Sequence, residues 1–148
     1  MVLHAGDYDF VAGKQYTDDE ERSLKDQQRP VVVFNRINPL VDAVLGAEMG
    51  NRQEVRYIPR EEGDVKKDEA LTSASEWFRD QTGADAEDSE MFRDTTICGM
   101  GWTETRIDYE GNPDGDGKVD RLNPFEMVWD YNARKNNIID STRVWRVR

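Results

Sequence analysis

Residues 102–122 constrain the fold more than any other stretch. Thr103, Thr105 and Ile107 recur at every second position of Trp-Thr-Glu-Thr-Arg-Ile-Asp. A β-rich stretch, Val119 to Leu122, follows a short gap. Between them lies Asn112-Pro-Asp-Gly-Asp-Gly-Lys-Val-Asp120. Period-two patterning puts alternate side chains on opposite faces of a strand. Paired aspartates and glycines supply the unusual backbone angles of a tight hairpin. The stretch also imitates a calcium loop. With Asn112 as position 1, Asp114 falls at 3, Asp116 at 5, Gly117 at 6 and Val119 at 8. Position 12 of such a loop carries a bidentate carboxylate, whereas here it is Asn123, followed at once by Pro124. Both flanks favour strands over the helices that an EF-hand requires. The reading is a hairpin over residues 100–123, with Asp114, Gly115, Asp116 and Gly117 at its tip.

The remaining segments mix helix and strand. Residues 1–16 lack periodicity and read as a mobile N-terminal arm. Thr17-Asp-Asp-Glu20 is a capping box that opens a helix over residues 18–27, almost devoid of apolar side chains. Pro30 stops it, and Pro-Val-Val-Val-Phe34 predicts a strand or extended segment. Asn38 and Pro39 then open a second helix with Leu40, Val41, Val44, Leu45 and Met49 on one face, ending at Gly50-Asn51. Residues 53–58 alternate as a strand, and Pro59 ends it. A polar loop at residues 61–64 leads to a helix over 65–82, whose stripe is Ala70, Leu71, Ala74, Trp77 and Phe78. Another runs over 86–97, with Met91, Phe92, Thr95 and Cys98 inward. Residues 125–129 and 143–147 read as further strands. The fold class is α+β, with helices packed on a mainly antiparallel sheet.

Composition narrows the function. Charged residues make up 34% of the 148 and the hydrophobic set 36%, with a mean hydropathy of −0.87. That predicts a thin core or a piece of something larger. A formal charge of −11 opposes phosphate and anionic membrane surfaces, which call for a basic face. There is no run of about 20 apolar residues that could span a bilayer and no signal-peptide pattern at the start, so the chain reads as soluble and intracellular. A single cysteine, Cys98, excludes an internal disulfide and reads as a buried, inert thiol. The one histidine, His4, lies in the arm, which gives nucleophilic catalysis and zinc little to build on. No glycine-rich phosphate loop occurs, and Gly-Met-Gly-Trp102 is too short to count as one. No cofactor, metal or catalytic residue is assigned. The late aromatics Trp102, Phe125, Trp129, Tyr131 and Trp145 read as core or interface packing.

Four motifs in order, RPVVVFNRI, GNRQEVRYIPR, the GMGW that opens a strand, and NPFEMVWDYNAR, give the chain a further identity. It resembles the N-terminal part of P22-like phage portal proteins. The resemblance implies a non-enzymatic structural subunit of a dodecameric portal ring at one capsid vertex, through whose channel DNA is packaged and ejected. It implies other portal subunits, capsid and scaffold proteins as partners, with no membrane and no specific nucleic-acid site in this part. The implied place is the virion portal vertex, or the bacterial cytoplasm during assembly or from a prophage. Portal chains of this kind are several times longer, so residues 17–148 would be a partial wing domain, without stem or clip. Its key residues would be architectural: Asn35, Arg36, Asn51 and Arg52, at the ends of the second helix, fastening it to neighbouring strands through side-chain hydrogen bonds to backbone groups. The competing reading is a small calcium- or ligand-binding module using the 112–123 loop.

Overall fold

The computed structural model describes the backbone of residues 2–52, 54–59, 65–135 and 138–147, and the side chains of these residues from Ala5 onward. In chain order come α1 (Val2–Val11), α2 (Asp18–Asp26), α3 (Ile37–Gly50), α4 (Val65–Thr82), α5 (Ala84–Cys98), β1 (Trp102–Asp108), β2 (Asp116–Leu122), a 3-10 turn (Pro124–Glu126), β3 (Met127–Trp129) and β4 (Val144–Arg146). The class is α+β, built on two separate two-stranded antiparallel ribbons, β1–β2 and β3–β4.

The hairpin forms as its pattern requires. Trp102 faces Leu122 and Asp108 faces Asp116 across an unbroken register. Exposure alternates along β1, while Val119 and Leu122 of β2 are buried. The second ribbon pairs Met127 with Arg146 and Trp129 with Val144. Arg146 joins the two ribbons, donating to Glu126 at 2.9 Å and to Glu104 at 3.4 Å.

Helix α5 is the axis on which the rest is laid. It touches α1, α3, α4, β1 and β2. The buried apolar residues among those described are Val41, Ala84, Cys98, Val119, Leu122 and Met127, so the core lies between α3, α5 and the hairpin. Gly101 makes the turn from α5 into β1 possible. A Cβ there would collide with the Met91 carbonyl and the Thr95 hydroxyl, so only glycine lets the strand start this close to the helix. Cys98 is buried, its thiol directed at the carbonyls of Asp94 and Met100.

Several expectations change. Residues 1–16, read as an arm, hold helix α1, which packs on α5 and α3; the side chain of His4 lies outside the described residues. Residues 30–34 and 54–58 are not strands, because no strand among the described residues is placed to pair with them. Gln53 and the polar loop at 61–64 lie outside the described residues. Apart from Phe78, the α4 stripe points the other way: Leu71 is 49% and Trp77 65% exposed. Asp68, Thr72, Ser75, Arg79 and Thr82 are the half-buried positions, alongside Phe78. In α5, Thr95 is exposed and Asp94 takes the inward place beside Cys98. Spacing identifies the faces of a helix, but the neighbours decide which face is covered.

Candidate functional site

The capping chemistry at the start of α3 places Asn35 between two helices. Its Oδ1 accepts from the backbone N–H of Ile37 and of Asn38, both at 3.1 Å, satisfying donors that a helix start leaves free. Its Nδ2 donates to the Val11 carbonyl at 2.7 Å, at the end of α1. One amide therefore ties α1 to α3. Asn51 caps the other end within its own helix, donating to the Ala47 carbonyl at 2.7 Å.

Arg52 carries the connection outward. Its guanidinium donates to the Asp85 carbonyl at 3.1 Å and to the Ser89 hydroxyl at 2.7 Å, and pairs with the Asp85 carboxylate at 3.1 Å. Ser89 passes the link on to Glu48 of α3 at 3.0 Å. This is the multi-donor fork expected of an arginine, but its target is helix α5 and not a strand. Arg36 makes no side-chain hydrogen bond or ion pair among the described residues and stands exposed. The four residues thus do not act as a set: Asn35 and Arg52 join elements, Asn51 closes its own helix, and Arg36 faces solvent.

Arg79 of α4 completes a clamp around the N-terminus of α5. It donates to Asp85 at 2.6 Å and to Asp88 at 2.7 Å. Its guanidinium holds the Asp85 carboxyl below the usual carboxylate range, with Arg52 adding to the effect. The carboxylates themselves raise Arg79. Carboxylates in the first turn of α5 also suit the positive end of the helix dipole. These residues line a cleft of about 510 Å³ between α3, α4 and α5. Its acids are either held by arginines or open to water, an arrangement that fastens helices together.

Among the described residues, the most buried polar side chain is one that the sequence did not single out. Asp94 is 2% exposed and accepts from Tyr8 at 2.5 Å and from Arg121 at 2.5 and 2.8 Å. The two-pronged guanidinium contact is the stronger geometry for this pair, and it raises Arg121. Burial pushes the Tyr8 phenol well above its ordinary value, and the hydrogen bond to Asp94 adds to the shift. The Tyr8 ring also meets Phe125 edge-on at 5.5 Å. One carboxylate thereby joins α1, α5 and β2. An acid at an inward position of an otherwise apolar stripe was the available signal, since buried charges demand partners.

At the hairpin tip, Gly115 takes a positive φ of 82° and its N–H donates to the Asn112 carbonyl at 2.9 Å. Asn112 accepts from the Asp114 N–H at 3.0 Å and donates to Asp116 at 2.9 Å. Two of the oxygens a calcium loop would aim at one centre are thus already engaged, one by a backbone N–H and one by the Asn112 amide nitrogen. Asp116 already belongs to β2, and Gly117 packs on the Phe78 ring of α4. Among the described residues no group of three His, Cys, Asp or Glu gathers as a metal would need, and no helix is long and apolar enough to cross a membrane.

Comparison with known proteins identifies the family. The family model for phage P22-like portal proteins matches residues 4–148. A portal protein of Helicobacter pylori bacteriophage KHP30 is 21% identical over 134 residues, which cover 90% of this chain and 22% of that protein. The chain therefore spans about a fifth of the length of that relative.

Proposed function

The chain belongs to the phage P22-like portal protein family, and from that membership we propose that it works by assembly, as the N-terminal, wing-region part of a portal subunit. In this reading the subunits form a ring at one capsid vertex of a phage or prophage particle. Other portal subunits, capsid and scaffold proteins are its neighbours, and DNA passes through the channel of the complete ring during packaging and ejection. This part carries no stem and no clip, and performs no catalysis.

The observation that carries the reading is the family match, which runs over nearly the whole chain. The geometry supports it. Asp94 joins α1, α5 and β2, and Arg79 joins α4 to α5. A formal charge of −11 suits a part that stands beside passing DNA without adhering to it. An antibody raised against this chain and applied to purified particles tests the reading. It should label a single vertex per particle. Label over the whole shell, or particles free of label, would overturn it.

A further inference from the structure

The segment between α2 and α3 is built like a strand that has no partner. Arg29 donates its N–H to the Leu24 carbonyl at 2.9 Å, and Asn35 holds the other end to Val11. Between these anchors exposure alternates, with Val31 and Val33 half-buried and Val32 and Phe34 outward. Val32 is 50% and Phe34 80% exposed. Among the described residues, Val31, Val32, Val33 and Phe34 make no backbone hydrogen bond to another segment. Three β-branched residues in a row favour a sheet, and an open edge of this kind accepts an added strand. No charged residue interrupts the run to guard it.

Charge indicates what fits. Arg29 and Arg36 bracket the run; both are exposed, and neither has a carboxylate partner among the described residues. They form a basic frame around an apolar edge on a chain whose formal charge is −11. The complementary surface is acidic, and on every copy acidic side chains outnumber basic ones, 31 to 20. We propose that residues 29–36 are a subunit contact, at which a second copy docks an acidic face and completes the open edge. Unlike patches meeting in this way make a head-to-tail contact, the kind that can close into a ring. The inference rests on the assembly reading above and locates one of its contact surfaces.

Sedimentation equilibrium over a wide concentration range tests it. The average mass of the unaltered chain should rise with concentration. The double variant Val32→Thr/Phe34→Ser should associate about tenfold more weakly or worse while melting like the parent. Ile58→Ser, which removes a side chain that is 82% exposed elsewhere, should associate like the parent. Arg29→Gln/Arg36→Gln should weaken association at low salt, with the difference fading near 1 M, where screening acts over about 3 Å. A chain that stays monomeric throughout overturns the proposal, as does association that the Val32/Phe34 variant leaves intact. The second result would leave the assembly reading standing and move the contact elsewhere. Vertex labelling of particles decides that reading separately.

Discussion

Asp94 brings three elements to one carboxylate, and the energetics of that arrangement are asymmetric. A buried ion pair contributes little beyond its own desolvation, but removing one partner strands the other. Asp94→Ala leaves the Arg121 guanidinium and the Tyr8 hydroxyl without their acceptor. Urea unfolding should show a loss of about 3 kcal/mol, at the lower end of such cases because the Arg121 side chain is 34% exposed. The two arginines flanking α3 should separate in the same assay. Arg52→Ala removes hydrogen bonds to α5 at a half-exposed site and should cost about 1 kcal/mol. Arg36→Ala removes no bond and should fall within about 0.5 kcal/mol of the parent. Sequence motifs placed both arginines in one architectural role. Only the approach of α5 decides which of them has anything to hold.

At the scale of elements, local chemistry was legible wherever a segment carried its own instructions. The Thr17–Glu20 capping box forms in both directions, and α4 spans the expected residues. The hairpin turns on Gly115 as its Asp-Gly pattern requires. Contacts between elements were much less legible. Gly101 lay within a short motif that sequence could connect to no chemistry. In the structure it is the contact where β1 leaves α5 against the Met91 carbonyl. Gly101→Ala should destabilise by about 1–3 kcal/mol, because backbone must shift to admit the methyl. Gly111→Ala, with open space around it, should be close to neutral. Equal melting temperatures for the two variants would rule out a close-packed joint at Gly101. The apolar stripe of α4 shows the same limit. Its period was correct, yet α5 and the hairpin cover the polar side.

Considered as a whole, the molecule joins its N-terminal helix to its core through a titrating group, so stability should depend on alkaline pH. Tyr8 has its pKa raised from an ordinary 10.0, first by burial and then by Asp94. A raised folded-state value means that the native form keeps its proton where the unfolded chain gives it up. The contribution is complete below pH 10 and is lost as pH rises from there toward the folded value. Tyr8→Phe should lower stability at neutral pH by about 1 kcal/mol and flatten the alkaline loss. Unfolding curves taken on either side of pH 10 check both effects, and parallel alkaline slopes for the two proteins would refute the coupling.

The amino-acid sequence by itself determined the hairpin, the helices α2, α3, α4 and α5 to within about two residues, the α+β class and the portal family. Each of these depends on neighbours along the chain: period, caps, turn residues and motif order. Tertiary structure alone decided that Asp94 is buried, that most of the α4 stripe faces outward, that residues 2–11 are helical and docked, and that residues 30–34 stay unpaired. Burial and strand pairing depend on what other segments bring within reach, and spacing along one segment carries no record of that.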